Sequence, residues 1–247
     1  EFGYFCRQVG VEAPEVVALE LTSPFDLKRQ LRLVVPTYAP DPRDANYARF
    51  LASAIARLLG KARRKALVLF TAYQTLREVE ALLQSERALD GVAILAQTRE
   101  TSRSRLMEQF RAAKAGVLLG TASFWQGVDF PGEELEMLIV TRLPFPVPSD
   151  PRAEAIGEEL EREGRSGFFE YALPEAILKL RQGVGRLIRR ADDRGLCVIL
   201  DARIVRARYG SRFRGALPVP VETVENEEEL MRLVAEWARG DTRRGRA

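Results

Sequence analysis

Residues 174–200, PEAILKLRQGVGRLIRRADDRGLCVIL, place an amphipathic helical pattern directly before an apolar run, and the fold class follows from that pair. At about 100° per residue, Ile177, Leu180, Val184, Leu187 and Ile188 share one stripe, while Gln182, Arg186 and Arg189 share the opposite one. Pro174 suits a first helical turn, where its missing N–H is not needed. Gly195 is placed to end the helix before the strand-like Leu196–Leu200, so the spacing predicts a helix from Pro174 to Asp193. Gly183 and Gly185 each cost roughly 1 kcal/mol relative to Ala inside it, which calls for a close neighbour. An arginine-bearing stripe reads equally well as a solvated helix face or as a binding face for an anion.

Working outward, the same alternation repeats. Ala66–Phe70, Val92–Ala96, Val117–Gly120 and Leu135–Thr141 are short apolar runs of strand type, with helical patterns to about Leu83 after the first and over Ser104–Ala113 after the second. Such strands imply an α/β fold with a mostly parallel sheet flanked by helices on both faces. Asp44–Leu59 carries apolar residues at helical spacing, closed by Gly60, and Lys61–Lys65 is a basic connector. Residues 1–40 read as a lead-in, with strand-like Val16–Leu21, a turn at Ser23–Asp26 and a second extended run at Leu31–Val35. Leu143–Pro151 is too proline-rich for a helix or central strand, and Arg152–Arg165 is a charged, exposed helical stretch. Asn226 caps a terminal helix with an acidic first turn, and residues 241–247 form a tail.

Ligands of parallel sheets sit beyond the carboxyl ends of the strands, which directs attention to the residues there. After the first strand, Thr71 and Gln74 have capping-box spacing, and the same helix start is also suited to a phosphate. After the second come Gln97, Thr98 and Arg99, then Ser102, Arg103 and Arg105, a set that fits either a phosphate contact or a solvated loop. After the third stands Gly120-Thr121-Ala122-Ser123-Phe124-Trp125-Gln126-Gly127-Val128-Asp129-Phe130-Pro131-Gly132. Here Asp129 suits a ribose hydroxyl or an arginine but equally an ordinary turn, and Trp125 suits burial better than base stacking.

The chain of 247 residues carries a formal charge of +3, too small by itself to specify a nucleic-acid partner. It holds no histidine, which excludes imidazole bases and His metal ligands. Cys6 and Cys197 are far apart and read as reduced thiols of a cytoplasmic protein, with no metal spacing. No run approaches the roughly 18 apolar residues of a membrane span, and the chain does not begin with Met, as a fragment would not. The phosphate-binding pattern G-x-x-x-x-G-K-[ST] does not occur.

The ordered set Gln182, Gly185, Arg186, Arg189 resembles motif VI of superfamily 2 helicases. Its surroundings, FFEYALPEAILKLRQGVGRLIRR, are similar to the DinG-type branch, related to the XPD repair helicases. LVLFTAYQTLREV resembles motif IV and the Gly120–Gly132 loop motif V, with Gln126 where relatives usually carry an acidic residue. The resemblance implies a RecA-like C-terminal motor domain over residues 41–240, after the lead-in of residues 1–40. It implies that Arg186 and Arg189 act as arginine fingers on ATP, with Gln182 sensing nucleotide or water, and that Gly127, Asp129 and Gly185 lie toward the nucleotide. Thr71, Tyr73, Gln97, Arg99 and Thr121 would then lie along single-stranded DNA. ATP and Mg2+ would be held mainly by an N-terminal motor domain, as would any iron–sulfur cluster, and this chain alone would be inactive. The alternative is a non-catalytic α/β module that binds nucleic acid or a protein partner.

Overall fold

Strands whose residues are apolar at every position can be satisfied only in a sheet covered on both faces, and the computed structural model has that arrangement. It describes residues 2–11, 16–19, 21–98, 100–125, 135–147 and 149–240. The larger of two units comprises Phe25–Leu143 and Lys179–Ala247. In chain order its elements are α2 (Leu27–Gln30, after α1 of the small unit), β1 (Leu31–Pro36), α3 (Tyr47–Ala62), β2 (Ala66–Leu69), α4 (Tyr73–Leu83), β3 (Ala93–Ala96), α5 (Arg103–Ala112), β4 (Gly116–Gly120), α6 (Ala122–Trp125) and β5 (Met137–Val140). After the small unit's α7 (Pro151–Arg162) come the end of α8 (Leu173–Val184), β6 (Gly195–Ile199), α9 (Arg203–Arg206), α10 (Gly210–Ala216), β7 (Val221–Val224) and α11 (Glu227–Ala238).

All six strand pairings are parallel, in the order β3-β4-β2-β5-β6-β1-β7. Successive strand residues alternate faces. Val68, Leu119, Ile139 and Val198 join one core with Leu51, Ile55 and Leu58 of α3, Leu76 and Val79 of α4, and Leu230 and Val234 of α11. Leu67, Leu69, Leu118, Leu138 and Cys197, of opposite parity, are also fully buried, so the second face is covered too. Each such side chain contributes roughly 1.5–3 kcal/mol when removed from water. Burial also pushes the Cys197 thiol well above its usual range.

Several sequence expectations are corrected. Leu31–Pro36 is a sheet strand between β6 and β7, so the sheet begins before residue 40. Residues 16–19 and 21 form no strand, and Val17, Leu19 and Leu21 are exposed. The helix α3 runs through Gly60 to Ala62 and stops where Arg63 takes a left-handed conformation, φ 50°. β7 follows Pro218 and Pro220, turn-like residues that conceal an edge strand in the sequence. The expected tail, residues 241–247, lies outside the described residues. As expected, Asn226 caps α11, its Oδ1 accepting from Glu229 N at 3.0 Å.

The longest departure concerns the helix expected over 174–193, which ends at Val184. Two glycines weaken the helix there, and Asp193, 9% exposed, offers the backbone another partner. Its Oδ2 accepts from Arg189 N at 2.7 Å and Arg190 N at 2.8 Å. Gln30 Nε2 donates to the carbonyls of Arg190 (2.8 Å) and Asp193 (3.1 Å), closing the turn. Gly195 opens β6 instead of ending a helix, and a Cβ on it would meet Leu187 Cβ at 2.7 Å.

The small unit comprises Glu1–Pro24 and Pro144–Leu178. It contains α1 (Phe2–Val9) and α7 (Pro151–Arg162), the latter capped by Asp150, which accepts from Arg152 N and Ala153 N. A π-helical turn, Phe168–Ala172, leads into α8, where Pro174 has no N–H to return to a carbonyl one turn back. Arg165 pairs with Glu163 and Glu170, and Tyr4 donates to Glu175.

Gly195→Ala is expected to destabilise the protein by about 1–3 kcal/mol, because the near end of Leu187 cannot swing aside. Gly215→Ala, with open space around its Cβ position, is expected to be neutral or to stabilise by up to about 1 kcal/mol. Urea denaturation of the two variants checks the pair.

Candidate functional site

Parallel pairing delivers the residues after β3, β4, β2 and β5, four neighbours in the sheet, to one edge: Gln97, Thr121, Thr71 and Thr141. Gln97 and Thr121, singled out separately in the sequence, are joined there. Gln97 Oε1 accepts from both Thr121 N (2.8 Å) and Thr121 Oγ1 (2.9 Å). Both Thr121 donors are therefore engaged within the protein. The Gln97 Nε2 group makes no hydrogen bond among the described residues, and it is the donor this pair presents.

At the start of α4 the capping box is not formed. Ala72, extended at φ −131°, occupies the cap position without a side-chain hydrogen bond, and Gln74 instead donates to Glu78 at 3.0 Å. The first-turn N–H groups of Tyr73, Gln74 and Thr75 therefore lack a side-chain cap, which leaves them suited to an anion. Thr71 and Tyr73 are half-buried beside them. Along the next strand end, Ser102 caps α5 by accepting from Arg105 N at 3.3 Å, and Thr98 Oγ1 accepts from Thr101 N at 2.9 Å. Arg99 lies outside the described residues, as do Gln126, Gly127 and Asp129.

The segment after β4 turns sharply. Phe124 N donates to Thr121 O at 2.8 Å, and Phe124 folds over Gly120, where any Cβ would lie 2.6 Å from it. Trp125 is buried as expected, its Nε1 donating to Phe70 O at 3.1 Å. Its ring faces Gly183, where an added Cβ would stand in ordinary contact at 3.4 Å, and Lys179 Nζ lies 5.7 Å from the ring centroid.

Gln182, Arg186 and Arg189 do not share one helical stripe, because the helix ends between them. Gln182 and Arg189 are exposed, and Gly185 is exposed in the turn. Arg186 is 5% exposed: Nη1 donates to Phe124 O at 2.9 Å and Nη2 donates to Trp125 O. Motif VI is thereby fastened to the segment that begins with Thr121.

Sequence reading missed the supports of this edge. Asp201, fully buried after β6, accepts from Leu143 N at 2.9 Å and from Arg203, with Nη2 at 2.6 Å and Nε at 2.9 Å. Tyr47 donates to Thr141 O and to Leu200 O (3.1 Å), tying the ends of β5 and β6; burial holds its phenol pKa above the usual range. An acidic residue directly after an apolar strand was the available signal for Asp201. Charge was the other missed signal. The large unit carries 34 Lys and Arg against 23 Asp and Glu, a formal +11, and the small unit 4 against 12, a formal −8.

Among the described residues no group of three or more His, Cys, Asp or Glu is placed to hold a metal ion. No helix among them is long and apolar enough to cross a membrane.

Residues 55–219 match the family described as a helicase C-terminal domain. The chain is 39% identical over 215 residues to a protein named ATP-dependent DNA helicase YoaA of Escherichia coli K12, covering 87% of this chain and 33% of that protein. It is 34% identical over 238 residues to a protein named 3′-5′ exonuclease DinG of Bacillus subtilis 168, covering 95% of this chain and 26% of that protein. The chain thus spans a third or less of the length of these relatives. A solved structure described as an XPD helicase superposes with a TM-score of 0.60 at 16% identity, over 79% of this chain and 36% of that one, which shows a shared RecA-like fold. With the parallel sheet, the joined Gln97–Thr121 pair and the arginine turn after α8 in place, the chain belongs to the helicase C-terminal domain family and is of the DinG type.

Proposed function

We propose that this chain is the C-terminal motor half of an ATP-dependent DNA helicase. In this reading it binds single-stranded DNA along the ends of β3, β4 and β2, and it supplies arginines to ATP held mainly by an N-terminal motor domain. The observation that carries the reading is the gathering of Gln97, Thr121 and the uncapped start of α4 on one edge of a unit with formal charge +11. Phosphate contacts of this kind come from side-chain amides, hydroxyls, arginines and helix N-termini. Gln97 Nε2, Thr71 Oγ1 and the amides of Tyr73 to Thr75 are donors of those types, and Arg99 is a further candidate. Thr121 acts by holding Gln97.

ATP with Mg2+, held mainly by the N-terminal motor domain, would supply the transferable phosphoryl group. Arg189, exposed in the turn after α8, is the residue we assign to the developing charge on that group, where guanidinium donors act by fixed electrostatics. Arg186, the other arginine assigned to ATP, donates Nη1 and Nη2 to the carbonyls of Phe124 and Trp125, which it would have to leave to hold a phosphate. Gln182, Gly185, Gly127 and Asp129 are assigned to the nucleotide side. No metal ligand is assigned to this chain, and an iron–sulfur cluster would belong to the N-terminal region. Relatives named for helicase activity favour the motor over a non-catalytic binding module. Repair of DNA in the cytoplasm is the setting we infer.

Gln97→Glu keeps the oxygen that Thr121 needs but replaces the outward amide with a carboxylate. Fluorescence anisotropy with labelled oligo-dT should show at least tenfold weaker binding at an unchanged melting temperature; unchanged affinity would contradict the assignment. In the intact protein, Arg189→Ala is expected to keep ATP binding and lose DNA-stimulated hydrolysis by about 10³-fold or more. Wild-type turnover in that variant, measured by phosphate release, would contradict the role of Arg189.

A further inference from the structure

We infer that Arg186 is the positioning residue of the Thr121 segment, setting single-strand affinity without touching the nucleic acid. The inference rests on the single-strand reading above and adds a residue and a route to it. A guanidinium at 5% exposure keeps its charge only if its donors find strong acceptors, and here those are two consecutive carbonyls, Phe124 O at 2.9 Å and Trp125 O. These carbonyls end the single turn α6, whose first bond runs from Phe124 N to Thr121 O at 2.8 Å. The turn is held at three further points: Thr121 N and Oγ1 on Gln97 Oε1, Trp125 Nε1 on Phe70 O at 3.1 Å, and Ser123 O accepting from Arg103 Nη1 at 3.3 Å.

Arg186 therefore joins this turn to the chain beyond α8. Because only three residues lie between Thr121 and Trp125, a shift of the Arg186 clasp moves Thr121 and, through its two bonds, Gln97.

The test measures labelled oligo-dT binding by the 247-residue chain over a range of salt concentrations, for wild type, Arg186→Gln and Arg186→Lys. We expect five- to tenfold weaker binding for Arg186→Gln, a smaller loss for Arg186→Lys, which retains one donor, and the same slope of log affinity against log salt. Loss of a phosphate contact would lower that slope by about 0.7 for a single strand. A fall of that size would make Arg186 a direct ligand and overturn the inference, as would unchanged affinity. If Arg186→Gln does not fold, Arg186→Lys carries the same comparison. Should the wild type bind no oligo-dT, the single-strand reading fails, and amide exchange over Ala122–Trp125 then decides the clasp. Faster exchange in the variants supports it, and unchanged exchange overturns it.

Discussion

Parallel pairing is the constraint on which the rest of this molecule depends. A strand that pairs parallel to its neighbour forces the chain back across the sheet, so a helix must cover the return and every following loop emerges at one edge. That alone brings Gln97, Thr71 and Thr121 to neighbouring strand ends, although 26 and 24 positions separate them in the sequence. It also makes the interior apolar on both sides, so the polar groups at that edge must satisfy one another. They do so in fixed pairs: Gln97 with Thr121, Arg186 with the Phe124 and Trp125 carbonyls, and Asp201 with Arg203 and Leu143 N.

These pairs have different consequences. Asp201, Arg203 and Tyr47 tie strand ends together at β5 and β6, with Asp201 fully buried. Arg142 and Arg206 likewise donate to the carbonyls of Pro42 and Thr37. The β3-β4-β2 side differs, because the Gln97 Nε2 group makes no hydrogen bond among the described residues and α4 begins without a side-chain cap. The two halves of the edge thus differ in how fully their donors are used within the protein, and the large unit as a whole carries the excess positive charge.

Much of this was legible in the residues. Short all-apolar runs between helical patterns specify a covered parallel sheet, and the ordered Gln182, Gly185, Arg186 and Arg189 point to the right family. Three things were not legible, each for a physical reason. Leu31–Pro36 reads as a lead-in because its partners, β6 and β7, lie about 160 and 190 positions away, and only tertiary pairing makes it a central strand. The helix end at Val184 is decided by a buried carboxylate nine residues later, outside any local window of helix propensity. The division of +3 into +11 and −8 needs unit boundaries that the sequence does not mark, since the acidic segments are separated by 119 residues of the other unit. At the site, residue identity singled out Gln97 and Thr121 separately, but only the fold shows that they are bonded to each other.

The proposed single strand would lie across the ends of β3, β4 and β2. Hydrogen–deuterium exchange of the chain with and without saturating oligo-dT reads this most directly. Slower exchange is expected only in residues 71–76, 97–98 and 121–125, with α7 unchanged. Protection centred on α7, or spread evenly over the large unit, would contradict it.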